Sequence, residues 1–459
     1  MFPIILQRDL NMRTILFLST FLLAGQALAA DTLHLPASFA YPAGQAVFAD
    51  FSTADYTIRY DIPAKTALAK AVIKLTTQTR GNIVFDLVAS PSEIKLDGKL
   101  TTQSEISLPG NASKARVVGA VAEVGEHTLE MTLPLTELVQ WEEGGVRSAF
   151  WTTDLEDRGY LEAYLPANME FDRVAMALHL EFVGTTKAPR FYTNGVVTQV
   201  DSTHFDVKYP AYYTASSVFF HTVPTNAMKE ISFIYRSTDG REIPVVIYQR
   251  PSTWGTDQGT LERLKQNTLS ILTELENDYG PFLHPSVTIY MAGSGGMEYC
   301  GATMTDSSAL GHELTHSYFA RGIMPANGNG GWIDEALASW RDNRYPRITN
   351  ISGRANMAGR ASYTRFTDYA AYTYGAKFMS YLDGRFAEQG GLKSLLRKLV
   401  TEKAFTPYTT EDFIGWAEGH YRADLKQDFQ DHVYGGKAEK QIENPIHRKL
   451  SIQELRQLL

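Results

Sequence analysis

The sequence predicts an α+β protein in which an N-terminal all-β sheet or sandwich domain precedes a mainly helical domain. Short alternating or β-branched runs, separated by Gly, Pro, Asn and Asp, recur from residue 31 to about 243 and are typical of strands. Beyond Pro244 apolar residues recur at helical spacing instead. The roughly 430 residues that follow the predicted signal peptide are enough for two or three sizeable hydrophobic cores. We therefore predict a signal peptide at 1–29, a β domain at 30–243 and a second domain at 244–459.

Residues 1–29 have the layout of a secretory signal peptide. Arg13 supplies positive charge, residues 15–23 are apolar, and small residues precede a predicted cleavage ahead of Ala30. Met12 is a second candidate for the start, because residues 1–11 add nothing that such a signal needs. The apolar run is too short for a spanning helix, and no other long apolar stretch follows. We expect a protein that is exported, to the periplasm or secreted, with no integral membrane segment after signal cleavage.

The predicted β domain contains several runs with the pattern of half-buried strands. Gly, Pro, Asn and Asp between them supply the turns, which favours a sandwich or a large open sheet. The clearest runs are 56–60, 71–75, 82–88, 174–182 and 231–235.

The predicted second domain begins with a strand at 245–248. Residues 261–279 carry leucines at helical spacing, and Gly280-Pro281 ends this predicted helix. Residues 287–291 form another predicted strand, which leads directly into a glycine-containing segment beginning at Gly293. From Ser307 onward the pattern is mainly helical.

Charge and cysteine content exclude some classes of function. The formal net charge of −8 is spread along the chain without blocks, which argues against nucleic acid and anionic membranes as main partners. Cys300 is the single cysteine, so no intramolecular disulfide can form. A buried, unreactive thiol is the preferred interpretation of Cys300, and a catalytic thiol is the alternative.

The most informative motif is His312-Glu313-Leu314-Thr315-His316, followed by Glu335 after eighteen intervening residues. Residues four positions apart share one face of a helix, so both imidazoles can bind one zinc ion. Glu335, on a second predicted helix over 332–340, would complete three ligands and leave the fourth position for water. Glu313 is adjacent to the first ligand and can take a proton from that water. The motif therefore predicts one Zn²⁺ per chain and hydrolytic chemistry.

Four segments together resemble the gluzincin family of zinc aminopeptidases that includes membrane alanyl aminopeptidase and leukotriene A hydrolase. That family carries Gly-x-Met-Glu-Asn, then HExxH, then Trp-x-x-Glu, and later a Tyr-x-x-Gly segment. The matching residues here are Gly295, Gly296, Met297 and Glu298; 312–316; Trp332 to Glu335; and Tyr372 to Gly375. The chain departs from the family at Tyr299, where the family has Asn, and at Ala336, where it has Gly. The segment between Glu298 and His312 is also shorter than in typical members.

The resemblance implies a thermolysin-like catalytic domain and a role for each matched residue. His312, His316 and Glu335 would bind zinc, and Glu313 would be the general base. The other matched residues would contact the substrate. Tyr372 would donate a hydrogen bond to the oxyanion. Glu298, with Gly295, Gly296 and Met297, would bind the free N-terminus of a peptide. Residues 336–459 suffice for the helical lobe but not for the large C-terminal helical domain of many relatives, so a short form with a more open cleft is expected.

Three functions remain open on the sequence alone. The preferred hypothesis is an exported zinc aminopeptidase that acts on peptides with a free N-terminus. A zinc endopeptidase with the same chemistry is the alternative if the short connection displaces Glu298, and a non-catalytic, zinc-containing binding protein is the third. Tyr374, Tyr369 and Tyr363 compete with Tyr372 for the oxyanion role. Asp342 is predicted either to orient a zinc-bound histidine or to be a solvated surface residue.

Overall fold

The structure is a computed structural model that describes residues 35–109, 114–151, 164–168, 170–251, 258–293, 295–326, 329–359, 363, 367–435 and 452–459. Leu33–Leu459 form one compact unit. The predicted signal peptide, with its alternative start at Met12, lies outside the described residues, and export stays a prediction.

The described N-terminal part of the chain consists mainly of strands, as predicted. In chain order they are β1 (Phe39–Tyr41), β2 (Gly44–Val47), β3 (Ala49–Asp61), β4 (Thr66–Thr77), β5 (Gly81–Phe85), β6 (Glu93–Leu96), β7 (Lys99–Leu100), β8 (Gln103–Ser107), β9 (Lys114–Ala122), β10 (Gly125–Pro134), β11 (Val139–Glu142), β12 (Gly145–Phe150), β13 (Ala175–Val183), β14 (Pro189–Thr193), β15 (Val196–Gln199), β16 (His204–Lys208) and β17 (Phe220–Pro224), with a 3-10 turn at Ala215–Ser217.

These strands form three sheets. The strand orders are β1-β2-β5-β9-β8, β15-β16-β13-β3-β4-β10-β6-β7 and β11-β12-β17-β14. β3 and β4 pair antiparallel from Ala49↔Thr77 to Asp61↔Thr66. Alternate residues of β4 are buried, including Ile73 and Leu75, because successive side chains of a strand point to opposite faces. One face of this sheet therefore lines the larger hydrophobic core.

A fourth β-sheet crosses the predicted domain boundary at residue 243. Its strands are β18 (Lys229–Arg236), β19 (Glu242–Gln249), β20 (Val287–Met291), β21 (Met297–Tyr299) and β22 (Ala302–Thr305), in the order β18-β19-β20-β22-β21. The strand predicted at 231–235 thus pairs antiparallel with β19, beyond the boundary. The reason is local: a short connection between two β runs favours a hairpin.

The helices follow the predicted pattern. α1 (Gln258–Tyr279) connects β19 to β20 and includes the helix predicted over 261–279. The later elements are α2 (Leu310–Phe319), β23 (Met324–Pro325), α3 (Ile333–Asp342), a π-helical turn at Ala371–Gly375, α4 (Ala376–Arg385), a 3-10 turn at Ala387–Gln389, α5 (Gly391–Lys403), β24 (Pro407–Tyr408), α6 (Thr410–Tyr421), α7 (Lys426–His432) and α8 (Ile452–Leu458). Within the described part of the chain, no helix is long and apolar enough to cross a membrane.

In the part of the chain that follows β19, the strand β20 and the helix α2 are both completely buried. Every residue of β20 is buried, and β20 pairs in parallel with both β19 and β22. Parallel strands are usually covered on both faces, which explains why β20 is apolar apart from Thr288. Every residue of α2 is buried as well, although the helix carries two histidines and a glutamate. Because buried polar groups need partners, the polar side chains of α2 indicate a candidate functional site.

Candidate functional site

The two histidines of α2 lie side by side, as their spacing predicts. Their ring centroids are 4.7 Å apart, and both residues are buried. Leu310 and Leu314 anchor the helix in the second hydrophobic core. The remaining face of α2 turns both imidazoles toward α3.

Glu335, in the first turn of α3, brings a carboxylate between the two imidazoles. Its Oε2 lies 3.0 Å from Nε2 of His312 and 3.3 Å from Nε2 of His316. Ligand atoms of a tetrahedral zinc ion at usual bond lengths are about 3.3 Å apart. The ligand atoms of the three residues all lie within 4.8 Å of one another. The predicted triad is therefore assembled with the spacing that one small cation needs.

The charges around these residues favour a cation. Burial lowers the pKa of His312, but its hydrogen bonds to Asp342 and Glu335 outweigh burial and hold that pKa well above the ordinary value. Burial raises the pKa of Glu335, but the two histidines outweigh it and hold that pKa well below the ordinary value. The carboxylates thus stabilise positive charge at the imidazoles. Two nitrogen donors and one oxygen donor suit zinc in particular.

One aspartate is hydrogen-bonded to His312, and a second lies near His316 without a hydrogen bond to its ring. Asp342, at the end of α3, accepts a hydrogen bond from Nδ1 of His312 at 2.7 Å. Asp334 is fully buried, and its Oδ2 lies 3.9 Å from Nδ1 of His316. A carboxylate on Nδ1 fixes the ring orientation and leaves Nε2 for a metal. Asp342 makes the contact that the predicted orienting role requires, and it is also an exposed residue, as the alternative prediction has it.

Replacing Asp342 by Ala should weaken metal binding without changing the fold. Loss of such a supporting carboxylate usually lowers metal affinity about tenfold to a hundredfold. The measurement is zinc affinity by competition with a chromophoric chelator. Asp342→Asn, which retains an acceptor oxygen, is the matched control and should lose less. Equal affinities for Asp342→Ala and the wild type would contradict the orienting role.

Glu313 lies beside the triad with unsatisfied hydrogen-bonding capacity. It is 5% exposed, and its Oε2 has no hydrogen-bond partner among the described residues. Burial raises its pKa to about 8; the two histidines lower it, and Glu298 and Glu335 raise it. A buried carboxylate in such surroundings is suited to accept and release a proton.

Gly296 makes the space that Glu313 occupies. A Cβ atom at position 296 would collide with the carboxylate of Glu313. Gly295 adopts a left-handed backbone conformation with φ +68°, which favours glycine. The two glycines thus shape the chain around the carboxylate, a reason for this motif that the sequence did not reveal.

Gly296→Ala should displace the Glu313 carboxylate and leave the metal ligands in place. Because small misplacements of a catalytic group are costly, we expect kcat for any hydrolysis at this site to fall at least about tenfold. Steady-state kinetics and zinc content measure the two effects. Gly415→Ala is the matched control, since a Cβ there meets open space. An unchanged kcat in Gly296→Ala would show that Glu313 does not act from its observed position.

Glu298 reaches the site despite the short connection that follows it. It lies on β21, where it pairs with Thr303 of β22, and Met297 of the same strand accepts a hydrogen bond from the Thr303 hydroxyl at 3.0 Å. A carboxylate oxygen of Glu298 lies within 4.8 Å of ligand atoms of Glu313 and His316. Glu298 also accepts a hydrogen bond from Arg321 at 3.1 Å. The matched glycine-containing segment thus meets the metal-binding helix.

Tyr372 is the candidate tyrosine that lies beside the histidines. Its ring is nearly parallel to that of His312, at 6.4 Å between centroids. The hydroxyl of Tyr374 instead bonds to Gly353 and His432, whereas Tyr369 is largely exposed and Tyr363 packs against Phe39 and Phe48. The turn that carries Tyr372 packs closely against α3 at Gly375. A Cβ atom at position 375 would come within 2.8 Å of the Ala336 Cβ, so this packing requires glycine.

Cys300 lies near the site but does not contribute a reactive thiol. It is buried, and burial raises the pKa of its thiol to about 12. A thiol in that state is not a nucleophile at neutral pH. The preferred interpretation of Cys300 is therefore supported.

Three participants were not predicted as site residues. Asp334 is adjacent to a predicted ligand, and a carboxylate next to Glu335 on the same helix was its only sequence signal. Glu170 and Arg321 are 151 positions apart and meet through a contact of 3.5 Å between Oε1 and Nη1. No periodicity in the sequence connects two such distant residues.

Comparisons with known proteins identify the fold. No protein-family model and no curated protein sequence matches the chain. An M1 zinc metallopeptidase from Deinococcus radiodurans has a TM-score of 0.60 at 14% identity, over 88% of this chain and 96% of its own. Aminopeptidase A of Legionella pneumophila gives 0.61 at 14%, over 84% and 50%. Yeast LTA4 hydrolase gives 0.61 at 12%, over 86% and 69%.

The chain is therefore similar in fold to the two-domain M1 zinc metallopeptidase. Its β-rich N-terminal part is followed along the chain by a mainly helical part. The predicted family resemblance is confirmed at the level of the fold.

Proposed function

We propose that this chain is a zinc-dependent aminopeptidase with a thermolysin-like catalytic domain. One observation carries the proposal: the carboxylate of Glu298 lies within 4.8 Å of both Glu313 and His316. A buried carboxylate beside a hydrolytic metal centre provides a binding place for the α-ammonium of a peptide. An internal peptide bond lacks that charge and would leave the carboxylate unpaired, which is energetically costly.

Each residue of the site has a role that its position allows. Zinc, held by His312, His316 and Glu335, would lower the pKa of a bound water and polarise the scissile carbonyl. Glu313 accepts a proton from the attacking water and passes it to the leaving amine. Its neighbours Gly295, Gly296 and Met297 shape the chain at the substrate.

The known structures with this fold are compatible with peptide substrates. The Legionella pneumophila aminopeptidase A was solved in complex with aspartic acid. A Deinococcus radiodurans M1 zinc metallopeptidase was solved with a Tyr-Ser-Ala substrate. We infer that peptides with a free N-terminus are the substrates here as well, with one zinc ion per chain.

A digest of a peptide library tests the proposal. Each peptide is supplied with a free and with an acetylated N-terminus, and products are identified by mass spectrometry with and without a zinc chelator. We expect stepwise loss of N-terminal residues from the free peptides, far slower cleavage of the acetylated ones, and no activity with the chelator. Equal cleavage of both forms within the chain would overturn the aminopeptidase assignment and favour an endopeptidase.

The zinc endopeptidase remains the second candidate because of one contact. Arg321 already donates hydrogen bonds to Oε1 and to the main-chain oxygen of Glu298. If that pairing satisfies Glu298 completely, the site loses its preference for a charged chain end. The same library digest separates the two candidates.

Tyr372→Phe tests the oxyanion role of this tyrosine. The phenolic hydroxyl can donate a hydrogen bond to the carbonyl oxygen as charge develops on it. Removing one such donor usually lowers kcat about a hundredfold, with little change in KM. Steady-state kinetics on the best library peptide measure kcat and KM separately. Tyr374→Phe is the matched control and should retain kcat, and equal losses in the two variants would contradict the assignment.

We further propose that the protein is exported after removal of residues 1–29. Charge, apolar length and small residues before Ala30 support this prediction. N-terminal sequencing of the mature protein from its producing cells is the test. A mature N-terminus at or near Ala30 is expected, and an intact Met1 or Met12 would contradict export by this signal.

A further inference from the structure

Arg321 is a buried cation at the end of the metal-binding helix. It is 3% exposed, and its backbone N–H donates to the carbonyl oxygen of His316 at 2.9 Å. The backbone of Arg321 therefore lies about one helical turn beyond His316, a predicted zinc ligand. A buried arginine is expected to have specific partners, because an unpaired buried charge is very costly.

The guanidinium holds Glu298 at two points. Its Nη2 donates to Oε1 of Glu298 at 3.1 Å, and its Nε donates to the main-chain oxygen of Glu298 at 3.2 Å. A planar fork that binds both the side chain and the backbone of one residue restricts rotation of that side chain. A single lysine ammonium could not reproduce this two-point geometry.

The other end of the guanidinium is fixed by the β-rich part of the chain. Its Nη1 donates to the hydroxyl of Ser216 at 2.8 Å and lies 3.5 Å from Oε1 of Glu170. Ser216 in turn donates to the main-chain oxygen of Glu170 at 3.1 Å. Arg321 thus connects the metal-binding helix, the strand that carries Glu298 and the β-rich part through one rigid group.

Release of this contact would change what Glu298 can reach. Its carboxylate is already within 4.8 Å of His316 and Glu313. A freely rotating carboxylate at that distance can approach a zinc ion or the general base instead of a substrate ammonium. Without Arg321, Glu298 and Glu170 would also be two buried like charges near each other, which is unfavourable.

We propose that Arg321 is a positioning residue that holds the Glu298 carboxylate for recognition of the substrate N-terminus. The inference rests on the proposed aminopeptidase function, since it concerns how the same site selects chain ends. Arg321 acts through Glu298: among the described residues, the hydrogen bonds and ion pairs of its side chain go to Glu298, Glu170 and Ser216, not to the metal triad or Glu313.

The test compares wild type with a charge-balanced variant. Arg321→Met combined with Glu170→Gln leaves the summed formal charge of Glu170, Glu298 and Arg321 unchanged, which limits the cost to folding. The measured quantity is the ratio of kcat/KM for the best free peptide to kcat/KM for its acetylated form. We expect this ratio to fall at least about tenfold, mainly through KM for the free peptide, with zinc content unchanged. Arg321→Lys should have a ratio between those of the wild type and the charge-balanced variant.

A double-mutant cycle separates positioning from general destabilisation. In a Glu298→Gln background, the same two changes should alter the ratio by less than about twofold, because the group they position is already neutral. Arg116→Met is the matched control: Arg116 is also buried, but it bonds to Leu87, Val88 and Gln103 in the β-rich part. It should leave the ratio unchanged even if it lowers Tm.

Two results would overturn the inference, and they are distinguishable. A selective wild type whose charge-balanced variant keeps the same ratio would refute the role of Arg321 alone. If that variant does not fold, as judged by circular dichroism and zinc content, an unchanged ratio in Arg321→Lys has the same meaning. A wild type that cleaves free and acetylated peptides equally would refute the proposed aminopeptidase function and this inference with it.

Discussion

Glu313→Gln should lower kcat about 10³- to 10⁴-fold while one zinc ion per chain remains bound. Glutamine has nearly the same shape, so it fits the space that Gly296 leaves for the side chain. It cannot accept the proton that the attacking water must lose. The three ligand atoms belong to other residues, and their separations do not depend on Glu313. The substitution therefore removes proton transfer and little else.

Metal analysis and steady-state kinetics on the same preparation test this prediction. Zinc is measured by atomic emission, and turnover is followed with the best library peptide. Glu262→Gln, at a partly exposed position of α1, is the matched control and should behave as wild type. A Glu313→Gln variant that retained a tenth of the wild-type kcat would refute Glu313 as the base. Loss of zinc together with turnover would show instead that Glu313 supports the metal.

The metal triad was predictable because helix geometry determines most of it. A spacing of four places His312 and His316 on one face wherever the helix lies. Glu335 required tertiary packing, yet its position in the first turn of a second helix follows from the glycine-containing loop before it. The position of Tyr372 beside His312 accompanies the close packing of Gly375 against Ala336, a contact between two helical segments that the sequence pattern does not encode.

The rest of the site depends on contacts that no local pattern encodes. Arg321 meets Glu170 across 151 positions and Ser216 across 105. The parallel pairing of β3 with β13 shows the same limit for the fold, because it joins residues as distant in sequence as Thr53 and Ala175. Strand composition predicted both strands, but the sheet to which a strand belongs is decided by packing. Local chemistry was therefore more predictable than long-range pairing.

Glu298→Gln should lower kcat/KM for peptides with a free N-terminus about 10²- to 10³-fold. The amide retains an oxygen that can accept the hydrogen bond from Arg321, so the side chain stays in place. Only the charge that would pair with the α-ammonium is lost. Breaking one side of a buried ion pair costs more than losing a neutral hydrogen bond, because the substrate ammonium would then be desolvated without a counter-charge.

Peptides without an α-ammonium provide the internal control for this prediction. Their hydrolysis, however slow, should change little in Glu298→Gln, so the preference for free over acetylated termini should shrink by the same factor. Glu298→Asp keeps the charge but shortens the side chain by one methylene, and an intermediate loss is expected. If Glu298→Gln left kcat/KM for free peptides unchanged, zinc hydrolysis would stand but recognition of the N-terminus would have to be assigned elsewhere. Because Glu313→Gln tests the chemistry and Glu298→Gln tests the recognition, the two variants separate a metallopeptidase from an aminopeptidase.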